Sequence, residues 1–450
     1  MNTEKLQKNN LSTEKKQLWV SWNENIKHRY KTIHAIDNED QFAQIIKTSE
    51  NVRYFGNKQS SSDICAGTET LINIENYDQL LDTNTELRKV TVQAGMKLKD
   101  LLEFVESQNW CIPCLPDINT VTIGGALATG THGTSGNILA SYVVECRFIS
   151  ADGSIKIITA EDELMDAVRV SMGVLGAFST VTFQCEESYT LHLTEGPEKD
   201  KDWMPQLQNY IDTYAFLRIL WLPHTDVGYV IKGNKVQADK VVEENLGPKY
   251  LKHRRKASKL LYKYSHVVPW STYFANKLLY HGFFSSKKEH KGSLYQATVT
   301  KSRGSTLELA EWTIALDVFP QVFEELKTVI NSFKNNSFIH IPMDIRFVDE
   351  DQSWLSYAYK QKTVTMGCVS RNAATANSYE AFETIERIFL KYGGRPHWGK
   401  RFAAKEADFS KVYPKWEAFK TLRKQMDPTN KLLNPYLASL FAEKTKVYDD

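Results

Sequence analysis

With 450 residues, the chain is longer than one hydrophobic core usually organises, so two domains of ordinary size are expected. Its 42% hydrophobic and 24% charged residues exclude a disordered protein, and its net charge of +2 identifies no class of partner. No apolar run approaches the ~20 residues that a membrane-spanning helix needs. Residues 1–20 begin with a polar, lysine-containing segment that excludes a secretory signal, and they are expected to form a flexible arm.

The six cysteines predict a reducing compartment and no disulfide framework. A cytoplasmic location is therefore expected, with or without peripheral contact with a membrane. Cys111 and Cys114 form a CxxC pair, but the pair follows a predicted helix and does not begin one. Because the helix N-terminus that lowers a thiol pKa is missing, the two residues are interpreted as core cysteines and not as a redox site.

A helix and a short strand are the first predicted elements. Asn38 is a suitable N-cap, and the strand VRYF leads directly into Gly56–Asp63, GNKQSSSD, which contains no apolar residue. The predicted helix has three apolar residues on one face, namely Phe42, Ile45 and Ile46. The polar segment is either a serine-rich surface turn or a loop that contributes to a binding site.

The segment Thr122–Gly136, TIGGALATGTHGTSG, contains five glycines and four threonines in fifteen residues. This composition predicts neither a hydrophobic helix nor a core strand. Glycine permits positive φ and has no Cβ, so consecutive N–H groups can converge on an anion. A phosphate-bearing cofactor is the expected ligand, and a glycine-rich turn between strands is the alternative.

The remaining patterns up to residue 190 indicate one mixed α+β domain. Val90, Val92 and Ala94 alternate as in a half-buried strand, and Asp152-Gly153 between two apolar runs predicts a hairpin. No GxGxxG follows a strand and no GxxxxGK[ST] occurs, so a standard Rossmann or P-loop site is disfavoured.

The composition changes after residues 195–197, and a basic insert extends over residues 235–291. Within it, residues 249–270 combine lysine and arginine with Leu, Tyr and Val. Such a segment either docks on anionic lipid or forms a solvated helix beside a domain insertion. Nucleic acid is not predicted because no matching basic face occurs elsewhere, and no metal is predicted because the histidines do not cluster at ligand spacings.

The segment Ile339–Phe347 alternates apolar residues with His340, Asp344 and Arg346, as in a strand with one polar face. That face belongs either to an active site or to a solvated sheet surface. A predicted helix over Tyr379–Tyr392 ends at Gly393-Gly394 and is followed by RPHWGKRF.

Three segments together resemble the vanillyl-alcohol-oxidase-type flavoproteins, and within them the aldonolactone oxidoreductase and alditol oxidase group. They are GNKQSSSD, TIGGALATGTHGTSG, and GGRPHWGK followed by DPTNKLLNPYL. The resemblance implies an α+β fold of two domains, in which a bipartite FAD-binding domain carries an inserted α+β substrate (cap) domain. It implies that residues 21–195 and the returning segment 395–450 bind FAD, and that residues 196–394 form the cap.

The resemblance also implies site residues. Those expected to contact the cofactor are Gly56, Asn57, Lys58, Gln59, Ser60, Ser62, Asp63, Gly124, Gly125, Thr129, Gly130, His132, Gly133 and Val181. Those expected at the reaction centre are Lys400, Arg346 and Asp344, since oxidation of an alcohol by flavin needs positive charge near the reduced flavin and help in removing the hydroxyl proton. His397 is interpreted as structural.

Two positions depart from the family pattern. Many of these oxidases carry a histidine that bonds covalently to the flavin where this chain has Gln59, so noncovalent FAD is expected. Asp344 stands where glutamate is common, and this shorter side chain changes the reach towards substrate hydroxyls.

The implied function is an FAD-dependent oxidoreductase that oxidises a hydroxyl of a sugar lactone or an alditol and passes electrons to dioxygen or another acceptor. Two alternatives remain: an FAD-dependent oxidase of a polyprenyl-phosphate sugar at a membrane, and a flavin-binding module without catalysis.

Overall fold

The computed structural model describes residues 16–134, 136–236, 267–298, 307–333, 342–371, 376–404 and 406–443, and residues 256, 257, 260, 261 and 264. Most of the basic segment 249–270, residues 1–15 of the expected arm and the start of the strand predicted at residue 339 lie outside these ranges. None of the helices in the described ranges has the length and apolar character needed to cross a membrane.

The N-terminal part contains three small sheets and one larger, five-stranded sheet among the described residues. Its strands are β1 (Gln17–Val20), β2 (Lys27–Tyr30), β3 (Thr32–Ala35), β4 (Val52–Phe55), β5 (Thr70–Asn73), β6 (Leu80–Asn84), β7 (Lys89–Gln93), β8 (Trp110–Cys111), β9 (Val143–Ile149), β10 (Ile155–Thr159), β11 (Ala177–Gln184) and β12 (Glu186–Glu187). Its helices are α1 (Glu39–Thr48), α2 (Leu98–Ser107), α3 (Ile123–Ala128) and α4 (Glu163–Val168).

Strand β5 pairs in parallel with β3 and β4, and an antiparallel sheet follows in the order β10-β9-β11-β7-β6. The predicted N-cap is confirmed, because the Asn38 side chain accepts a hydrogen bond from the Gln41 N–H. Residues 17–20 of the expected arm instead form β1. The cause is packing, since Trp19 is buried edge-to-face against Phe55.

The glycine-rich segment contradicts one expectation. Its residues Ile123–Ala128 form the short buried helix α3, although the composition had predicted no hydrophobic helix. Tertiary packing overrides the low helix propensity of glycine here. At Gly124 an added Cβ would lie 3.1 Å from Ala94 Cβ, so a larger residue would push the helix away from the strand end.

The middle of the chain builds one large sheet. Its strands are β13 (Thr190–Lys199), β14 (Phe216–Leu222), β15 (Val227–Val236), β16 (Lys288–Ser293), β17 (Leu307–Ala315), β18 (Met343–Val348), β19 (Thr363–Arg371) and β20 (Arg395–Pro396), in the order β16-β13-β15-β14-β18-β19-β17-β20. Its helices are α5 (Asp200–Trp203), α6 (Leu207–Thr213), α7 (Thr272–Leu279), α8 (Leu294–Thr298), α9 (Phe319–Ser332) and α10 (Ala376–Lys391). Helices α9 and α10 pack against each other, and α10 packs on β17.

The C-terminal segment returns to the N-terminal part through α11 (Glu406–Val412), α12 (Trp416–Met426) and α13 (Pro435–Leu440). Buried Arg53 joins the two parts, because its guanidinium donates to the carbonyl oxygens of Leu432 at 2.8 Å and Met172 at 2.6 Å. Asn434 caps α13 through Leu437 N–H and also donates to Asp63 O at 2.7 Å. These contacts bring the two ends of the chain into one unit.

Candidate functional site

A deep cleft lies between the N-terminal part and the eight-stranded sheet. Its empty space is about 1270 Å³ when the part open to solvent is counted. A concave site between two parts of a chain is where a cofactor or a small substrate usually binds. The walls come from the loop after β4, the glycine-rich segment, the loop at residues 116–118, and residues 397–400.

The loop after β4 offers unused hydrogen-bond donors to the cleft. Lys58 has a left-handed backbone with φ of 54°, and the Asn57 side chain is fixed by donating to Thr120 O at 2.7 Å. Among the described residues, none accepts a hydrogen bond from the backbone N–H groups of residues 57–60. Grouped N–H donors around a left-handed residue form an anion site, so the loop fits a phosphate group.

Glycine is required where this loop meets the glycine-rich segment. A Cβ at Gly56 would lie 2.0 Å from the Thr122 Oγ1, and one at Gly133 would lie 2.7 Å from the Leu115 carbonyl oxygen. Gly130 has φ of 69°, and its carbonyl oxygen accepts from the Tyr357 hydroxyl at 2.6 Å. Backbone therefore forms much of this wall.

Residues 397–401 are held in place from both sides. His397 N–H donates to Glu311 O and Arg401 N–H donates to Leu309 O, each at 2.9 Å, which ties the segment to β17. On the other side, Ser62 Oγ donates to Trp398 O at 2.8 Å. The Trp398 ring stacks on Tyr413, with ring centroids 5.3 Å apart. The HWGK sequence is thus a rigid bridge between the polar loop and the large sheet.

Four side chains on the cleft wall form what we call the histidine cluster: His132, Glu311, His397 and Lys400. His132 Nδ1 lies 2.9 Å from Gly133 O, and its Nε2 contacts a Glu311 carboxylate oxygen. Burial alone would raise the pKa of Glu311. The neighbouring His132, with its hydrogen bond, and His397 and Lys400 instead hold that pKa well below its usual range.

His397 is kept neutral. Burial is the main cause that lowers its pKa, helped by Lys400 and His132 and opposed by Glu311, and the resulting pKa is about 3. Its Nδ1 accepts the Gly399 N–H at 3.1 Å, so the proton of the neutral ring is on Nε2. Ligand atoms of His132, Glu311 and His397 lie within 4.8 Å of one another, which corrects the expectation that the histidines do not cluster at ligand spacings. The fold brings these residues together from segments far apart in the sequence.

A second group, the arginine quartet, consists of Asp117, Arg218, Asp344 and Arg346. Arg218 donates bidentately to Asp117 at 2.9 and 2.7 Å, and to Asp344 at 2.8 and 2.7 Å. Arg346 donates to Asp117 at 2.6 Å and to Asp344 at 2.9 Å. Two acids thus balance two bases.

Burial would raise the pKa of Asp344, but Arg218 and Arg346 lower it. Burial would likewise lower the pKa of both guanidinium groups, but the two carboxylates raise it. All of these shifts favour the charged forms.

The structure places twelve of the predicted site residues on the cleft wall. They are Gly56, Asn57, Lys58, Gln59, Ser60, Ser62, Gly124, Gly125, Thr129, His132, Arg346 and Lys400. The other five do not line it: Asp63, Gly130, Gly133, Val181 and Asp344. Val181 is buried within β11, paired with Val92 and Cys146 on the flanking strands, and Asp344 lies behind Arg346.

Sequence reasoning missed Glu311, Asp117 and Arg218, and it interpreted His397 as structural although His397 lines the cleft. Each missed residue belongs to a segment without a motif, and only the pairing of β14 with β18 and β17 with β19 brings them together. One signal was available, because Asp117 lies five residues before the start of the glycine-rich segment, in a stretch that contains two prolines.

Comparison with known proteins identifies the family. The sequence pattern described as D-arabinono-1,4-lactone oxidase matches residues 181–440, which is more than half of the chain. The chain belongs to this family. A second pattern, that of an FAD binding domain, matches residues 31–159.

Relatives of this lactone oxidase family align over most of their length. L-gulonolactone oxidase from Bos taurus is 28% identical over 87% of this chain and 90% of its own. L-gulono-1,4-lactone dehydrogenase from Mycobacterium tuberculosis is 27% identical over 88% and 92%. The fold matches that of cholesterol oxidase from B. sterolicum, with a TM-score of 0.77 and 13% identity over 95% of this chain and 97% of the other. The expected two-domain flavoprotein fold is confirmed.

The cleft fits FAD, the cofactor that the matched FAD binding domain identifies. A pyrophosphate needs several N–H donors in a small space, and residues 57–60 supply them without another partner among the described residues. The wall of the same cleft carries the cations Arg346 and Lys400.

Proposed function

We propose that the protein is an FAD-dependent oxidoreductase that oxidises a hydroxyl of a sugar-derived aldonolactone, or of an alditol, with dioxygen or another electron acceptor. The observation that carries the proposal is one cleft, whose wall combines a polar N–H loop with Arg346, Lys400 and the histidine cluster. The names of the relatives support a lactone substrate.

We propose that residues 21–195 with 395–450 hold FAD and that residues 196–394 hold the substrate. The boundary at 195 falls within β13, and Arg395 belongs to β20 of the large sheet, so the two parts share strands at their junction. The Arg53 contacts with Leu432 and Met172 support the bipartite arrangement.

When bound, FAD supplies the ring that accepts a hydride from the alcohol carbon. Arg346 contributes a fixed positive charge at the cleft wall, and Asp344 orients it through Nε. Lys400 Nζ donates hydrogen bonds as an ammonium group and accepts a hydroxyl proton only in its neutral form. The Glu311 carboxylate favours the ammonium form, so we assign charge stabilisation to Lys400.

The test is anaerobic reduction of the bound flavin by a panel of aldonolactones and alditols. The flavin absorbance is measured to detect the reduction. Bleaching by one class is expected, with turnover reduced in Lys400→Ala and Arg346→Ala while FAD remains bound. Near-normal turnover in both variants would place the reaction elsewhere. An unreduced flavin across the panel would favour the polyprenyl-phosphate sugar or the noncatalytic alternative.

We propose that FAD is bound noncovalently, because Gln59 in the cleft loop carries an amide that cannot bond to the flavin as a histidine does. Acid precipitation of the purified protein is expected to leave a colourless pellet and a yellow supernatant. A yellow pellet would contradict noncovalent binding.

We also propose a peripheral contact with anionic lipid around α7. Seven of the twelve exposed large hydrophobic side chains among the described residues belong to residues 260–278, and Trp270 and Phe274 are 62% and 53% exposed. Seven Lys and Arg residues occupy positions 249–263 of the sequence. Exposed aromatic and aliphatic groups beside basic residues suit an anionic bilayer surface.

Co-sedimentation with phosphatidylserine and with phosphatidylcholine vesicles tests this contact. The protein is expected to pellet with the anionic vesicles, and Phe274→Ser with Leu278→Ser is expected to abolish pelleting. Equal behaviour of the variant and the wild type would refute the contact. Dimerisation that the same variant abolishes, without vesicle binding, would identify a second copy as the occupant.

A further inference from the structure

The arginine quartet contains two carboxylates, and they differ in their position relative to the cleft. Asp117 lines the cleft together with its neighbours Pro116 and Ile118. Asp344 belongs to β18, whose only residue on the cleft wall is Arg346. Their side chains keep similar exposed fractions, 20% and 19%, so position and not exposure distinguishes them.

The hydrogen bonds show how this arrangement is maintained. Asp344 receives Arg218 Nε at 2.8 Å on one oxygen, and Arg218 Nη2 and Arg346 Nε on the other. Both of its oxygens are therefore used to hold the two arginines. Arg218 does not line the cleft, and its guanidinium donates two parallel hydrogen bonds to the Asp117 carboxylate.

We propose that Asp117 is the carboxylate that accepts hydrogen bonds from substrate hydroxyl groups, and that Arg218 and Asp344 are positioning residues that hold Asp117 and Arg346 at the cleft wall. A carboxylate oxygen has several acceptor sites, so Asp117 can bind a substrate hydroxyl while it accepts from Arg218 and Arg346. Asp344 holds the same two arginines but does not line the cleft, so it does not share this task. The proposal rests on the proposed function, since it needs a polyhydroxylated substrate.

The charge balance of the quartet makes the arrangement stable without substrate. Each carboxylate contacts both guanidinium groups, so neither arginine needs a substrate anion to neutralise it. A neutral polyol or lactone is consequently the ligand class that this wall accepts. An anionic ligand would add a third negative group beside Asp117 and would be disfavoured by repulsion.

The test compares a substrate with its deoxy analogues in the wild type, Asp117→Asn and Asp344→Asn. Each protein is loaded with FAD, and the dissociation constant is taken from the change in flavin absorbance, with KM and kcat measured in parallel. In the wild type, removal of the hydroxyl that meets Asp117 is expected to weaken binding by roughly 10- to 100-fold, as for a hydrogen bond to a charged group. In Asp117→Asn this discrimination is expected to fall to a few-fold, mainly through KM.

Asp344→Asn is the matched control, because it removes an equal charge from the same two arginines. It is expected to lower the free energy of unfolding and to leave the ratio between hydroxylated and deoxy ligands unchanged. Asp117→Glu keeps the charge and is expected to shift preference among the deoxy analogues, which a purely structural role would not do.

The outcomes separate the two proposals. If no lactone or alditol reduces the wild-type flavin, the proposed function fails and the assignment of Asp117 falls with it. If the wild type is reduced but Asp117→Asn discriminates as the wild type does, only the assignment of Asp117 is refuted. If only Asp344→Asn loses the discrimination between hydroxylated and deoxy ligands, Asp344 and not Asp117 accepts the substrate hydroxyl.

Discussion

The histidine cluster and the arginine quartet contribute side chains to one cleft, yet they handle buried charge in opposite ways. In the quartet, two carboxylates face two guanidinium groups, and every pKa shift favours the charged forms. In the histidine cluster, Glu311 is the one carboxylate beside Lys400 and two imidazoles, and burial keeps His397 neutral. A group in which every carboxylate has a guanidinium partner keeps its charges as the pH changes. A group with unequal numbers of acidic and basic side chains changes its protonation more readily.

The difference has a structural origin. Arg218 and Arg346 face each other across the pairing of β14 with β18, so two rigid strands set their spacing. His132 and His397 come instead from a glycine-rich segment and from the HWGK loop. Three variants test whether the two groups differ as described, and a fourth concerns Glu386, which contacts the chain just beyond the HWGK loop.

The largest effect is expected for Arg218→Met. This change leaves Asp117 and Asp344 with Arg346 as the remaining cation of the quartet, and removing one partner of a buried pair typically costs about 3–5 kcal/mol. Chemical denaturation of the FAD-loaded protein measures the loss. Arg147→Met is the matched control, because its pair with Glu39 is partly exposed and is expected to contribute about 1 kcal/mol or less. Equal losses in the two variants would show that the quartet is not specially stabilised.

Glu311→Gln is expected to lower kcat by roughly tenfold to a hundredfold, or about 1.4–2.7 kcal/mol, while FAD remains bound. The reason is that the Glu311 carboxylate orients the His132 ring and supplies a negative charge near Lys400. Steady-state kinetics and the flavin absorbance measure the two effects. Glu308→Gln serves as control, since Glu308 is buried on the same strand but does not line the cleft. An unchanged kcat would remove the histidine cluster from the reaction.

Because His397 has a lowered pKa, we expect the free energy of unfolding to fall in acid. Its folded pKa of about 3 lies below the ordinary 6.5, so between these values the unfolded chain binds a proton that the folded chain does not. Stability should therefore fall by about 2 kcal/mol as the pH drops from 6.5 to 5. In His397→Gln this part of the pH dependence should disappear, whereas the exposed His281→Gln should retain it. Denaturation at several pH values tests it, and identical profiles would contradict a neutral His397.

The smallest effect concerns Glu386, which accepts the Ala403 N–H at 2.9 Å just beyond the HWGK loop. Burial raises its pKa to about 7, so the folded state binds the extra proton between 4.5 and 7. Stability should then fall as the pH rises, by about 1 kcal/mol between pH 6 and 7. Glu386→Gln should remove this decline, and the exposed Glu383→Gln should not. A decline that persists in Glu386→Gln would assign it to another group.

Local patterns predicted the elements that depend on neighbouring residues. Asn38 caps α1 through the N–H three residues later, VRYF forms β4, and α10 ends at Lys391, two residues before Gly393, which has φ of 73°. The polar loop, the glycine-rich segment and HWGK could be predicted as parts of one site because each carries its chemistry within a few consecutive residues, and residues of all three line the same cleft.

The sequence by itself therefore determined the family and the cofactor, and it identified most of the loop residues that line the cleft, because glycines and polar residues in consecutive positions can be recognised without the fold. Only the tertiary structure decided which side chains come together beside these loops. Asp117, Arg218 and Glu311 come from a loop and two separate strands, and their proximity depends on strand pairing over 100 residues or more. It also decided that Ile123–Ala128 is a helix, because burial against Ala94 outweighs the propensity of two glycines.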